Sequence, residues 1–329
     1  MSGTTVAASA AGHPAGPTAV VADELRRVEE RIAEVIVSRE SRLSEISDYL
    51  INAGGKRIRP AVSLLTFRAC GGEDPTDVID LAVSLELIHT ATLLHDDIID
   101  SNDVRRGRDA APLRFGVADT LVTGDFLFSR AFEVCGRFEP RIVAWAADAC
   151  VQLTEGEIMQ GRFRRNPAVT EADYYEIVRR KTASLFSACA RIAAYLAGAP
   201  PALVDDLARA GLEVGIAFQM IDDVLDVEGD PRKIGKRVGT DLVDGNPSLP
   251  VIKGLALPPV HEAFTSVPCP SEAIKAAVEA LKAAGIPAAV REQAVEHARA
   301  AAAVIATLPP SAYRDSLATL VEDLVGRQF

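Results

Sequence analysis

Aromatic residues are scarce. Phenylalanine, tyrosine and tryptophan together make up 5% of the 329 residues, with a single tryptophan. Alternating runs of valine, isoleucine and tyrosine joined by Asn-Gly turns are missing too, which removes the signature of a sheet protein. No uninterrupted apolar run reaches the roughly 18 residues of a membrane span. Cysteines number five, at positions 70, 135, 150, 189 and 269. Odd in number and scattered, they exclude a disulfide framework and a zinc site, and read as reduced core thiols of a cytoplasmic chain. Positive charge is also short: 35 Lys and Arg stand against 46 Asp and Glu, a net charge of −11, which argues against a nucleic-acid partner. What is abundant is aliphatic. Hydrophobic residues make up 48%, led by alanine and leucine, so the expected fold is all-α.

Residues 1–17 are mostly small or Pro, lack periodicity and lack the basic start and apolar core of a signal peptide, so a disordered tail is expected ahead of one domain, 18–329. Helical spacing predicts helices over 18–40, 41–53, 60–70, 77–101, 117–137, 141–162, 174–197 and 203–227. Shorter ones follow near 250–256, 270–284, 288–307 and 311–327. Thr170 with Asp173 has the pattern of a capping box. Residues 107–112 read as a loop. So does 228–250, a polar, glycine-rich stretch too long for an ordinary connector.

Two stretches carry the chemistry. His95–Gly107 reads HDDIIDSNDVRRG and Gln219–Asp226 reads QMIDDVLD, each with Asp-Asp-x-x-Asp inside an apolar helical run. Residues four apart share a helix face, so Asp96 and Asp100 point one way, as do Asp222 and Asp226. Asp97 and Asp223 sit about 100° round the helix. Clustered carboxylates repel, and in an apolar helix they are costly. One such cluster is as well read as a solvated helix face. Two, flanked by Leu, Ile and Val, point to two helices facing each other and holding hard cations. Mg²⁺ fits best, because it takes oxygen ligands and bridges carboxylates to phosphate. Basic groups accompany them: Lys56, Arg57 and Arg59 at a loop-to-helix junction, Arg105 and Arg106 after the first cluster, Lys181-Thr182 in an apolar helix, and Lys233, Lys236 and Arg237 after the second. Together they imply two phosphorylated substrates, one held through metal and one directly.

The motifs GGKRIRP, HDDIIDSNDVRRG, KTASLF, FQMIDDVLDVEGD and GKRVGTDL, in this order and spacing, resemble those of the trans-isoprenyl diphosphate synthases of the polyprenyl synthetase family. The resemblance covers residues 20–327. It implies an isoprenoid synthase fold, a single large helical bundle around a central active-site cavity, and a homodimer. The apolar helices at 117–137 and 141–162 fit a subunit interface. It further implies that isopentenyl diphosphate is bound by Lys56, Arg59, His89 and Arg106. Asp96 and Asp100, helped by Asp97, would hold Mg²⁺ against an allylic diphosphate, and Asp222, supported by Asp223 and Asp226, a further ion, three per site. Arg105, Lys181, Thr182, Gln219 and Lys236 would contact the allylic substrate. One departure stands out: family members often carry a lysine in the segment matching DGNPSLP, where this chain has Asn246.

A terpene cyclase would need no second diphosphate site, and a non-catalytic partner subunit would tend to have lost the Asp clusters. Both motifs and GGKRIRP favour the synthase. The growing product would run back along the first Asp helix past Thr92 with Ala91, then Ile88, then Leu85, roughly 6, 12 and 16 Å below the metal site. Each isoprene unit adds about 5 Å. Ala91 and Thr92 are small where short-chain members place aromatics, so a medium or long product is expected. Asp96→Ala or Asp222→Ala is predicted to keep the fold and lose turnover. Assay at saturating Mg²⁺ checks this, and a residual rate above about a tenth of wild type contradicts it.

Overall fold

The computed structural model describes residues 16–229 and 238–326. Most of the expected tail, and Lys233, Lys236 and Arg237, lie outside the described residues. A 3₁₀ turn, Ala19–Val21, leads into α1 (Ala22–Val35), α2 (Ser41–Ile51), α3 (Ile58–Ala69) and α4 (Thr76–Ile99). A two-residue hairpin, β1 (Val104–Arg105) against β2 (Arg108–Asp109), follows. Next come α5 (Ala111–Phe115), α6 (Val117–Cys135), α7 (Pro140–Phe163) and α8 (Glu171–Val178). One π-helical turn, Arg179–Ala183, joins α8 to α9 (Ser184–Leu196), ahead of α10 (Pro201–Glu228). The C-terminal part holds α11 (Thr240–Asp244), α12 (Leu249–Gly254), α13 (Pro258–Thr265), α14 (Ser271–Ala283), α15 (Ile286–Ile305) and α16 (Ala312–Val325). The fold is all-α, as expected.

At the starts of α2, α8 and α16 the side chains of Glu40, Thr170 and Ser311 satisfy a free backbone N–H of the first turn. Thr170 accepts from the Asp173 amide at 3.2 Å while Asp173 accepts from the Thr170 amide at 2.9 Å, closing the capping box. Prolines open α7 and α10, where the missing N–H costs nothing. Helix α4 is apolar on all sides and buried from Val78 to Leu94, so it is the central post of the bundle. It packs against α1, α3, α6 and α9, while α10 packs against α9, α15 and α16. A second cluster around Val227, Leu242, Val260, Phe264 and Leu281 lies under α11–α14. Among the described residues α4 alone would pass as a membrane span by length and composition, yet 83% of its apolar window is buried in protein.

Three sequence expectations need correction. Residues 107–112 are a hairpin strand and the start of α5 rather than a loop. The single helix expected over 174–197 is broken by the π turn. The described part of the 228–250 stretch folds into α11 and the start of α12, because Leu242 and Leu249 bury their side chains in the two cores.

Candidate active site

The two Asp-bearing helix ends, α4 and α10, meet at one cavity of about 400 Å³. Asp96, Asp100 and Asp222 line it, all oxygen donors. Among the described residues no three acidic, His or Cys side chains are close enough to cage an ion by themselves. That donor set fits Mg²⁺, which keeps waters and binds through one or two carboxylates plus substrate phosphates rather than in an all-protein cage. Burial pushes the Asp96 carboxyl up to about 6 against the pull of Lys181, with Glu157 and Asp100 adding repulsion. The Lys181 ammonium lies 3.9 Å from Asp96 Oδ1 and also pairs with Glu157. The π turn brings Lys181 and Thr182 to the same cavity wall, a common use of such turns at functional sites. Gly156 makes the approach possible: a Cβ there would meet the Lys181 backbone nitrogen at 2.5 Å.

The middle carboxylates have different partners from their neighbours. Asp97 is fully buried and does not line the cavity. Arg105 Nε donates to it at 2.5 Å and Asn102 Nδ2 at 3.2 Å. The expectation that Asp97 assists the metal is therefore revised: it anchors Arg105 and the turn after α4, because the helical repeat aims it away from Asp96. Asp223 reaches the cavity wall but accepts from Tyr174 Oη at 2.7 Å, Gln219 Nε2 at 2.9 Å and the Leu249 amide at 3.2 Å. Thr182 Oγ1 donates to Gln219 Oε1 at 2.9 Å, so one chain of hydrogen bonds fixes Thr182, Gln219 and Asp223. Asp226 is buried, stays out of the cavity lining and accepts from the Asp241 amide at 3.0 Å. It ties α11 to the second motif.

Arg59, His89, Arg105 and Arg106 line the same cavity, with the three arginines around His89. Arg59 is buried, lies 4.6 Å above the Phe186 ring, and has an Nε without a hydrogen-bond partner. Desolvation pulls its pKa down. His89 is held neutral first by desolvation and then by Arg59, Arg106, Arg105 and Arg57 around it. A buried donor with no partner among several cations is an anion site in waiting. Lys56 is exposed and outside the cavity lining, whereas Arg57, unassigned from sequence, pairs with Glu29 at 2.5 Å and Glu86 at 3.0 Å and braces the loop. Leu93, Leu153, Ile177, Val178, Leu185 and Phe218 supply the apolar wall.

Of the stripe expected to guide the product, Thr92 lines the cavity. Leu85, Ile88 and Ala91 are fully buried in helix packing and do not, because the cavity face of α4 runs through 89, 92, 93 and 96. Sequence reasoning missed Glu157, Gln160, Tyr174 and Asp241. The polar run Thr154–Glu157 inside an otherwise apolar helix was the available signal for the first.

Oxygen donors for metal, a separate arginine cluster and an apolar wall in one helical cavity are the parts of a trans-prenyltransferase, an enzyme that transfers an allylic group from its diphosphate. A family model described as polyprenyl synthetase matches residues 40–281, and the chain belongs to the polyprenyl synthetase family. It is similar to the octaprenyl diphosphate synthase of Escherichia coli, at 34% identity over 94% of this chain and 97% of that one. It is equally similar to a short chain isoprenyl diphosphate synthase of Methanothermobacter thermautotrophicus, at 35% identity over 94% and 96%. A polyprenyl synthase from Caulobacter crescentus, solved with calcium and isoprenyl diphosphate, superposes with a TM-score of 0.91 at 32% identity over 94% of this chain and 97% of that one.

The raised Asp96 pKa sets a pH-dependent stability. Because the folded pKa, about 6, lies above the model value of 3.8, the folded state binds the proton more tightly, and stability falls as pH rises through that window. Asp96→Asn should therefore stabilise the metal-free protein at pH 7.5, by on the order of 1–3 kcal/mol. The gain should shrink toward pH 5. Thermal melts in chelator at both pH values measure it, and a gain that grows on acidification contradicts the assignment.

Proposed function

We propose that this enzyme condenses isopentenyl diphosphate with an allylic diphosphate and releases a medium- or long-chain trans-polyprenyl diphosphate. The observation that carries this reading is the pairing of two anion-binding regions, the Asp96/Asp100/Asp222 wall and the Arg59/His89/Arg106 cluster, in one cavity with an apolar side. Asp96 and Asp100 would hold the ions on the allylic diphosphate and Asp222 a third; synthases of this family are generally divalent-metal dependent. When bound, Mg²⁺ would supply positive charge to the departing diphosphate. Lys181, already beside Asp96, adds a point charge to the same oxygens. Thr182 and Gln219, fixed by their hydrogen bonds to each other and to Asp223, offer oriented dipoles to the allylic cation. Arg59, His89 and Arg106 hold isopentenyl diphosphate so that its alkene faces that cation. His89, kept neutral, acts as a donor, and released diphosphate takes the proton. Lys56, at the exposed rim, and Lys236 are assigned to the two substrates by their motifs alone.

The chain is further read as a cytoplasmic homodimer. Val117, Leu121, Val122 and Phe132 on α6 and Val151 and Ile158 on α7 are exposed, apolar side chains of the sort that subunit interfaces cover. Sedimentation at micromolar concentration should give twice the chain mass; a monomer contradicts it.

Arg59→Ala should raise the KM for isopentenyl diphosphate roughly tenfold or more, from the loss of a charge-assisted contact, and change the allylic KM far less. Initial rates with each substrate varied separately check this, and equal effects would erase the two-region reading. Product length gives a second check. Thr92→Phe puts a ring in the cavity and should shorten the product on chromatography. Ala91→Phe faces packed helix and should instead cost stability, about 1–3 kcal/mol. An unchanged Thr92→Phe product distribution removes Thr92 from the product path.

A further inference from the structure

We propose that Arg164, at the C-terminal end of α7, is a binding residue for the allylic diphosphate. The proposal rests on the synthase reading above and assigns a group that no motif of the sequence marks.

Arg164 forms an ion pair with Asp100, one of the carboxylates lining the cavity. Its Nε is buried and has no hydrogen-bond partner. The backbone beside it is fixed. The Arg165 amide donates to Gly245 O at 2.9 Å, and the Arg165 guanidinium donates to Ser266 O at 2.6 Å. One turn earlier Gln160 Nε2 donates to Asn246 Oδ1 at 3.2 Å. The backbone beside Arg164 is thus held in place, and the side chain reaches Asp100 from it.

Charge then decides its role. Gln160, Asn246 and Ser248 on this side of the cavity are neutral, and Asp241 beside them is acidic, so none of them supplies positive charge. Asn246 stands where family members often carry a lysine. Arg105 is committed to Asp97, and Lys181 is shared between Asp96 and Glu157. Arg164 does not itself line the cavity, but it is the arginine that pairs with Asp100 at its edge. With Asp100 engaged by a metal ion, the largely buried guanidinium would lose its hydrogen-bonded counter-charge and keep Asp244 as its acidic neighbour, and a weakly paired buried charge is costly. The diphosphate oxygens held by that same ion are the nearest replacement, and the planar fork of arginine matches them in two parallel bonds. Arg164 would then exchange Asp100 for diphosphate and supply the charge that Asn246 does not.

The test is calorimetric titration of the whole protein with inorganic pyrophosphate, with and without Mg²⁺. The metal-dependent binding is the readout. Arg164→Gln should weaken it about ten- to a hundredfold, the range of a charge-assisted contact. Arg164→Lys should keep part of the affinity. Adding Asn246→Lys to Arg164→Gln should restore most of it. In steady state, Arg164→Gln should raise the allylic KM and leave the isopentenyl diphosphate KM within about twofold. Pyrophosphate binding that is unchanged or tighter in Arg164→Gln overturns the proposal, since a residue that only shields Asp100 would compete with metal and its loss would help. Asp222→Ala separates the two readings. If that variant binds pyrophosphate with Mg²⁺ as wild type does, the metal–diphosphate reading of the cavity fails, whatever Arg164 does.

Discussion

The structure is governed by the cost of gathering carboxylates in a space from which water is largely removed. Asp96, Asp100, Asp222, Asp223 and Asp241 all reach one cavity, where their repulsion is poorly screened. Burial first, and repulsion from neighbouring carboxylates after it, holds Asp96 and Asp244 at about 6, well above the ordinary carboxylate range. Each carboxylate therefore has a partner that determines what it is available for. Asp223 is surrounded by three hydrogen-bond donors and becomes a fixed brace. Asp96 faces only a shared lysine at 3.9 Å and stays open to a ligand. That repulsion is of the kind a bound cation would relieve.

That arrangement depends on how closely the helices approach. Gly156 lets α7 lie against the Lys181 backbone, and Gly124 lets α6 lie against the His95 ring just behind Asp96. A methyl group at either position would need the space now held by the neighbouring element. The π turn acts in the same direction, adding one residue so that both Lys181 and Thr182 face inward. The C-terminal segment completes the frame. Asp226 holds the start of α11, and Arg165 holds its end, so the wall carrying Asn246 and Ser248 is fastened to both Asp-bearing regions.

Two stretches with the same Asp-Asp-x-x-Asp pattern thus do different work. In the first, the outer pair Asp96 and Asp100 face the cavity and the middle residue Asp97 anchors an arginine. In the second, Asp222 and Asp223 reach the cavity while Asp226 secures a backbone segment. Helical periodicity predicts the first division and only half of the second. It cannot say which element packs on the far side of α10, and that packing gives Asp226 its partner.

Sequence alone determined the all-α class, most helix positions, the opening of α8 at its capping box and the placing of two Asp stretches on separate helices. These follow from local propensity, capping chemistry and a 3.6-residue repeat, all of which are properties of neighbours along the chain, whereas the roles expected of Arg59, His89, Lys181 and Gln219 rest on the resemblance of their motifs. The tertiary structure decided what depends on distant contacts. It turned Ala91, Ile88 and Leu85 into packing residues and left Thr92 on the cavity, because the angular setting of α4 is fixed by the helices around it. It spent Arg105 on Asp97, put Arg57 between Glu29 and Glu86, and brought Arg164 to Asp100 from 64 residues away. A side chain's partner across the fold is chosen by packing and desolvation, and neither is written in the spacing of residues along the chain.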